Sequence, residues 1–213
     1  MPTIPLASPQ AQHLIQRDWR LAHLMGRVGD LTYERDDSAF AHLCHSVIEQ
    51  MLSMKAGDTI RARLEVACGG AITPESVRAM DLDQVRGCGM ARRKAETLMA
   101  LANTWTEESL ASLEGESDDE VRRLLCQTRG VGRWTADMYL LFYLERPDVL
   151  PLEDGAVRQS FLWLYGVPLA SPEAQSLVCD LWHPQASLAV RYLYRALNQG
   201  LVAVGPAREV LGW

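Results

Sequence analysis

The sequence predicts an all-α protein that is built from two helical lobes. Strand patterns are nearly absent, while helix-capping motifs recur along the chain and glycines separate the helical segments. Thr73-Pro74-Glu75 and Ser171-Pro172-Glu173 each place a capping hydroxyl before a proline at the first helical position, where proline is favoured. Ser117-Asp118-Asp119-Glu120 has the capping-box pattern, in which the serine bonds the amide of the third helical residue and the glutamate reaches back.

The individual helices follow from these caps and from the apolar periodicity. We expect helices over 10–27, 38–53, 56–68, 74–80, 82–87, 91–104, 107–113, 118–128, 133–145, 155–165, 172–181 and 186–199. The tail 201–213 receives no assigned element. A hydrophobic fraction of 48% over 213 residues is enough to build a core of this kind.

Composition limits the class of protein. No apolar run approaches the ~20 residues that a membrane span needs. The start of the chain, Met1-Pro2-Thr3-Ile4-Pro5, lacks the basic and apolar regions of a secretion signal. The five cysteines form no CxxC pair, which argues against zinc ribbons and cysteine-ligated iron–sulfur clusters and is typical of reduced thiols inside a cell.

The distribution of charge leaves two interpretations open. A net charge of −6 argues weakly against a nucleic-acid partner, but binding depends on where the positive charge lies. Basic residues occur in two clusters, which are Arg86, Arg92, Arg93 and Lys94, and then Arg122, Arg123, Arg129 and Arg133. Such clusters are either contacts for DNA or the solvated faces of helices.

The stretch from Leu124 to Met138 is the most informative, because a capped helix ends at Gly130-Val131-Gly132 and a second helix starts at once. Val131 is expected to pack between the two helices, while the glycines allow another backbone to approach closely. The amides of Gly130, Gly132 and Thr135 are expected to point outwards at a helix N-terminus, where an anion such as a DNA phosphate binds. By itself, the Gly-x-Gly pattern also fits an ordinary turn between helices.

The hairpin Gly130-Val-Gly-Arg-Trp-Thr-Ala136, followed by Asp148-Val-Leu-Pro-Leu-Glu-Asp154, resembles the signature of the helix-hairpin-helix (HhH-GPD) base-excision DNA glycosylases. The branch it resembles most is 3-methyladenine DNA glycosylase II, which removes alkylated bases. Segments 40–53, 85–95 and 181–184 are similar to further motifs of this family, in the same order along the chain. The resemblance extends over roughly residues 14–200, and the ordered combination is more specific than any single motif.

Asp154 is the candidate catalytic carboxylate. It follows an extended Pro-Leu-Glu segment and precedes a helical pattern, which places it at a helix N-cap where exposed amides and the helix dipole favour an ionised carboxylate. Its position alone indicates only a cap, whereas the resemblance implies the catalytic aspartate of the family. Breaking an N-glycosidic bond builds positive charge on the deoxyribose, and a fixed carboxylate stabilises that charge and orients or activates water.

Other acidic residues compete with Asp154 for this role. Glu153 is its neighbour in the chain and is therefore expected to point elsewhere. Asp137, Glu145 and Asp148 are expected to be helix caps or surface charges.

The residue two positions after Gly132 indicates the reaction type. Related glycosylases that form a Schiff base and nick the strand carry a lysine there, whereas this chain has Trp134, so the resemblance implies a monofunctional enzyme without lyase activity. The resemblance also implies that Trp134 and Tyr194 are aromatic walls of the base pocket, where an electron-poor alkylated purine gains about 0.5–2 kcal/mol from cation–π contact. Met138 stands where some relatives carry another aromatic residue, which changes the shape of that pocket.

The resemblance further implies how DNA is held. Met51 aligns with the wedge that fills the gap left when the target base flips out of the duplex, although a core methionine fits the same spacing.

The residues expected to bind DNA phosphate are Gly130, Val131, Gly132, Arg133 and Thr135. Arg129 replaces the usual proline of the hairpin and is expected to add a phosphate contact. No cofactor is required by the resemblance, but it implies a structural sodium or potassium ion held by the carbonyls of Cys126, Thr128 and Val131.

We therefore expect a DNA-repair hydrolase that excises 3-methyladenine- or 7-methylguanine-type bases from damaged duplex DNA and leaves an abasic site. The expected division is a lobe over 37–147, which contains the helix-hairpin-helix at about 118–145, and a second lobe of 1–36 plus 148–213, with the active site in the cleft between them. We expect a monomer with no membrane partner, located in a bacterial cytoplasm and on the nucleoid when DNA is bound. The alternatives are a glycosylase for a deaminated or oxidised base, a non-catalytic DNA-binding protein that uses only the hairpin, and a helical interaction domain.

Overall fold

The computed structural model describes residues 2–34, 36, 38–52 and 54–213, and in this part of the chain the fold is almost entirely helical. The helices are α1 (Pro9–Arg17), α2 (Trp19–Val28), α3 (Ala39–Glu49), α4 (Met54–Ala67), α5 (Pro74–Arg78), α6 (Leu82–Gly87), α7 (Arg92–Thr104), α8 (Glu107–Ala111), α9 (Asp118–Leu125), α10 (Arg133–Met138), α11 (Gly155–Tyr165), α12 (Pro172–Leu181), α13 (Ala186–Asn198), α14 (Leu201–Val204) and α15 (Ala207–Leu211). A 3₁₀ turn at Ser112–Gly115 follows α8, and a π-helical turn at Tyr139–Tyr143 continues α10. The prediction of an all-α protein is confirmed, apart from one short antiparallel pair, β1 (Thr3–Ile4) with β2 (Leu31–Thr32).

The chain folds as two compact units. The terminal unit combines Met1–Arg35 with Glu145–Trp213, and the hairpin unit is Asp36–Leu144. Each unit has its own buried apolar core.

In the terminal unit, Asp18 separates two helices where the sequence predicts one helix over 10–27. Its backbone ends α1 and its carboxylate accepts the amide of Leu21 at 3.0 Å, which caps α2. The same carboxylate accepts the hydroxyl of Tyr165 at 2.5 Å and the indole N–H of Trp182 at 2.8 Å. Because these partners lie far away in the chain, local periodicity does not reveal this break. The tail also differs from expectation, since α14 and α15 lie within 201–213.

In the hairpin unit, α3 is the central helix and most of its residues are buried. It packs against α4, α7, α8 and the π-helical turn. The helix predicted over 38–53 ends earlier, at Glu49, because a tight turn follows at Gln50 and Met51. Ser53, the last residue of the sequence motif at this point, lies outside the described residues.

The expected capping motifs are largely present. Thr73 and Ser171 cap α5 and α12 with proline at the first helical positions, as predicted. Ser117 accepts the amide of Glu120 and caps α9. The carboxylate of Glu120 pairs with Arg123, so the predicted capping box is wrong in its second half.

Candidate active site and DNA-binding surface

The hairpin between α9 and α10 has the expected form. The amide of Val131 donates to the carbonyl of Thr128 at 3.0 Å, and the side chain of Val131 is buried. Gly132 is the N-cap of α10 and supplies no side-chain cap. Within the described part of the chain, the amides of Gly130 and Gly132 donate no hydrogen bond. These amides therefore remain available to an anion at this turn.

Gly130 is required by two separate features of the hairpin. Its φ of +89° lies in the region that non-glycine residues rarely adopt. A Cβ built at this position would lie 1.9 Å from the Oγ1 of Thr97 on α7. The turn is consequently packed directly against α7, with no room for a side chain.

The two hairpin helices are joined by a buried ion pair. Arg122 on α9 donates through Nε to the Oδ1 of Asp137 on α10 at 2.7 Å. The side chain of Asp137 is only 3% exposed, so the expectation of a cap or surface charge is wrong for this residue. Arg133 lies farther from the same carboxylate, at 3.7 Å, and remains more than half exposed. Arg133, unlike Arg122, thus faces solvent.

Besides Arg133, three α10 residues expected to bind base or phosphate differ in burial. Trp134 is half-buried, whereas Met138 is buried, with its carbonyl 3.3 Å from the Nε2 of His42. Thr135 is almost fully buried, and its hydroxyl accepts the side-chain amide of Gln50 at 3.0 Å. The Thr135 hydroxyl is therefore engaged with Gln50 inside the hairpin unit.

Met51 is not a core methionine. Its side chain is fully exposed, and its φ is +57°. A non-glycine residue in this conformation costs about 1–2 kcal/mol, so the fold must hold it there. The hydrogen bond from Gln50, the preceding residue, to Thr135 connects this turn to the hairpin inside the same unit.

Lys94 lies in a different place from the one its sequence suggests. Although it follows two exposed arginines, its ammonium is directed onto the end of α3, where it donates to the carbonyl of Ile48 at 2.7 Å and to that of Gln50 at 2.6 Å. Burial lowers the pKa of Lys94. A lysine next to arginines gives no sequence signal that distinguishes this arrangement from a surface charge.

In the terminal unit, Asp154 is the N-cap of α11, as expected. Its Oδ1 accepts the amide of Val157 at 2.7 Å, and the residue is only 5% exposed. Glu153, the competing carboxylate, is exposed. The cap fixes the orientation of the Asp154 carboxylate, because one oxygen is directed at the first turn of α11.

The remaining candidates of the terminal unit lie on or near α13, which packs against α11. Tyr194 is half-buried on α13. Asp148 accepts the amide of Ala186 at the start of α13 and also pairs with His183, so it acts as a cap. Glu145 accepts the hydroxyl of Tyr33 at 2.9 Å.

Basic residues line a surface depression of about 480 Å³ beside the hairpin turn. Arg92 and Arg129 both approach the carboxylate of Glu96, at 2.9 Å and 3.6 Å. The side chain of Arg129 is 86% exposed. Pairing with Arg92 and the nearby Arg129 lowers the pKa of Glu96. Gly130 also lines the depression, so a phosphate held by the hairpin would lie close to these arginines.

The expected ligands of a hairpin cation are backbone carbonyls. In the described residues, no group of three or more His, Cys, Asp and Glu side chains is arranged to hold a metal ion. The carbonyl of Thr128 accepts the amide of Val131, which leaves one of its two lone pairs for another partner. Cys126 is exposed just before this turn. This donor set of neutral oxygens is compatible with sodium or potassium.

Comparisons with known proteins agree with this geometry. A family model described as HhH-GPD superfamily base excision DNA repair protein matches residues 44–184. The chain is 31% identical over 188 residues to DNA-3-methyladenine glycosylase 1 of Schizosaccharomyces pombe, a match that covers 85% of this chain and 82% of that protein. The solved structure of a DNA-3-methyladenine glycosidase from Bacillus halodurans is similar over 100% of both chains, with a TM-score of 0.79 and 28% identity.

A further solved structure, 3-methyladenine DNA glycosylase of Schizosaccharomyces pombe in complex with abasic DNA, has a TM-score of 0.79 and 28% identity, covering 90% of this chain and 97% of that one. The chain therefore belongs to the HhH-GPD superfamily of base-excision DNA repair proteins. The family expected from the hairpin motifs is confirmed. In the residues that the structure describes, no helix has both the length and the apolar character needed to cross a membrane.

Proposed function

We propose that this protein is a monofunctional DNA glycosylase that hydrolyses the N-glycosidic bond of alkylated purines, such as 3-methyladenine and 7-methylguanine, in duplex DNA. The observation that carries the proposal is the buried carboxylate of Asp154, which is fixed at the N-terminus of α11 in a chain whose hairpin has Trp134 in place of a nucleophilic lysine. The named relatives act on 3-methyladenine, and one of them binds abasic DNA.

The proposed chemistry assigns one role to Asp154. As the bond to the alkylated base breaks, positive charge develops on the deoxyribose, and a preorganised carboxylate stabilises it. The same carboxylate orients the water that adds to the anomeric carbon and accepts its proton. An alkylated purine is a good leaving group because its ring is already electron-poor, so no lysine nucleophile is needed. The products are the free base and an abasic site.

The proposed binding of DNA assigns the other residues. The amides of Gly130, Gly132 and Thr135 and the side chain of Arg133 hold phosphate, and Met51 fills the space left by the flipped nucleotide. Trp134, Met138 and Tyr194 line the base pocket, where the indole of Trp134 stacks on the electron-poor purine. A monovalent cation on the carbonyls of Cys126, Thr128 and Val131 would rigidify the turn. We further propose that the protein acts as a monomer on damaged duplex DNA.

The test is the release of base from a methylated duplex under single-turnover conditions. We expect Asp154→Asn to lower the rate by at least about 100-fold, because an amide keeps the shape of the side chain but carries no charge. Glu153→Gln is the matched control, since it removes the neighbouring exposed carboxylate, and it should retain the wild-type rate. Full activity of Asp154→Asn, or an equal loss in Glu153→Gln, would contradict the assigned mechanism.

Met138 favours a second candidate within the same reaction, the excision of a deaminated or oxidised base. Methionine replaces an aromatic wall and can adapt to other ring shapes. A panel of duplexes carrying single lesions, with the released bases identified, separates the two substrate classes. Binding to abasic duplex without release of any base would instead indicate a non-catalytic DNA-binding protein.

A further inference from the structure

The turn that presents Met51 has a defined geometry. The amide of Leu52 donates to the carbonyl of Glu49 at 3.0 Å and closes a four-residue turn. Gln50 has φ −47° and ψ 121°, and Met51 has φ +57°. These angles are those of a type II turn, whose third position normally carries glycine or asparagine. A fully exposed methionine in that position must be held there by its surroundings.

The orientation of the Gln50–Met51 peptide decides the turn type. In a type I turn, ψ of the second residue and φ of the third are both negative, so converting one type into the other rotates this central peptide by roughly half a turn. Its carbonyl belongs to Gln50, and this is the oxygen that accepts from Lys94 at 2.6 Å. The second acceptor of Lys94, the carbonyl of Ile48, lies in the last turn of α3. Lys94 thus fixes both the end of α3 and the central peptide of the turn.

From this geometry we propose that Lys94 is a positioning residue for the DNA wedge, which holds the Gln50–Met51 peptide in the type II orientation and so directs the side chain of Met51 outwards. The proposal rests on the proposed function of Met51 as the residue that fills the gap in the duplex. Without the ammonium, the peptide is free to rotate, Met51 returns to a negative φ, and its side chain leaves the wedge position.

Two observations distinguish this role from that of a phosphate-binding lysine. The ammonium points at two backbone carbonyls of another helix at short distances, whereas Arg92 and Arg93 beside it are exposed. Lys94 also lies in the first turn of α7, where a positive charge is unfavourable to the helix dipole, while the end of α3 is where a positive charge is favourable. The ammonium of Lys94 is thus unfavourable to the dipole of α7 and favourable to the dipole of α3.

The experiment follows flipping of the abasic nucleotide through the fluorescence of a neighbouring base. Lys94→Met keeps the hydrocarbon chain and removes every donor, while Lys55→Met, the matched control, removes the chain's other lysine, which is exposed four residues after Met51. Flipping is followed by stopped-flow fluorescence of 2-aminopurine placed next to an abasic site, and affinity for undamaged duplex is measured in parallel. We expect Lys94→Met to slow flipping about tenfold with unchanged affinity for undamaged duplex, Lys94→Arg to restore part of the rate, and Lys55→Met to flip at the wild-type rate.

A double-mutant cycle with Met51→Ala tests whether Lys94 acts through Met51. The double variant should be no slower than Met51→Ala alone, because the wedge is already absent. Additive losses would overturn the proposal, as would wild-type flipping by Lys94→Met or weakened binding of undamaged duplex with a smaller salt dependence, which would identify a phosphate contact. If Lys94→Met unfolds at the assay temperature, all variants are measured at a lower temperature with the same expectations.

The readout also separates this proposal from the proposed function. Fluorescence next to an abasic site needs no bond cleavage, so it reports on the wedge even if the wild-type protein releases no base from methylated DNA. Absence of base release would overturn the glycosylase assignment alone. Flipping that is unaffected by Lys94 would overturn the wedge proposal alone.

Discussion

A side chain at Gly130 should destabilise the hairpin for two separate reasons. Alanine at this position has to adopt φ +89° and to overlap the Oγ1 of Thr97, which lies 1.9 Å from the added Cβ. The conformation costs about 1–2 kcal/mol and the overpacking about 1–3 kcal/mol. We expect Gly130→Ala to lower the free energy of unfolding by at least about 2 kcal/mol, as measured by urea denaturation.

Gly132 provides the control for this prediction. Its φ of −106° suits any residue, and no atom lies within 4 Å of the Cβ position, so Gly132→Ala should change stability by less than about 0.5 kcal/mol. Adding Thr97→Ala to Gly130→Ala should restore the part of the free energy of unfolding that is lost to overpacking. The part that is lost to the backbone conformation should remain. Equal stabilities of the two glycine variants would show that the turn is not packed against α7 as described.

Individual residues show what the sequence can and cannot predict. The N-cap position of Asp154 followed from the extended segment before it, but its burial beside an exposed Glu153 depends on tertiary packing. In the sequence Lys94 groups with the neighbouring arginines, because its partners, the carbonyls of Ile48 in α3 and of Gln50 just after it, leave no trace in the side-chain pattern. Asp137 was expected to be a cap or surface charge, since nothing in the chain indicates that Arg122 approaches it from the preceding helix.

At the scale of elements, the pair between Arg122 and Asp137 should hold the two hairpin helices together. Asp137→Asn would leave the largely buried guanidinium of Arg122 without its buried counter-charge, although Asp119 still approaches it at 3.0 Å. Removing one partner of a buried ion pair costs about 3 kcal/mol or more. We expect a loss of about 3 kcal/mol in the free energy of unfolding of Asp137→Asn, measured by urea denaturation.

The matched control is the exposed pair on α9. Glu120→Gln removes the partner of Arg123 within one helix and leaves both groups in contact with water, so stability should remain close to that of the wild type. The hairpin should also become more mobile in Asp137→Asn. Amide hydrogen exchange should therefore accelerate more in α10 than in α7, relative to the wild type. A loss in Glu120→Gln as large as that in Asp137→Asn would mean that net charge, and not the buried pair, determines the effect.

The sequence predicts the start or end of a helix correctly where residues close in the chain determine it. Thr73 and Ser171 cap their helices as the sequence predicts, because a cap and its amides lie within one turn. Helix ends were wrong where distant residues decide them. Asp18 divides α1 from α2 while its carboxylate binds Tyr165 and Trp182, and α3 stops at a turn that Lys94 holds from another helix.

For the whole molecule, fold class and family follow from the ordered motifs, whereas the arrangement of charge does not. The net charge of −6 argues weakly against a nucleic-acid partner, yet three arginines line the depression beside the hairpin turn. Glu96 lies among them and pairs with Arg92 and, more distantly, Arg129. The Glu96 carboxylate therefore neutralises the same arginines that a DNA phosphate would neutralise at this position.

The salt dependence of DNA binding tests whether this basic surface contributes to binding. Each phosphate contact that is lost should reduce the slope of log K against log salt by about 0.9. We expect Arg129→Ala to bind abasic duplex more weakly with a slope shallower by about that amount, and Glu96→Gln to bind several-fold more tightly, because its charge no longer competes with phosphate. Fluorescence anisotropy at several salt concentrations measures both. Arg78→Ala, an exposed arginine on α5 outside this surface, should match the wild type, and a similar loss in that variant would assign the effect to net charge alone.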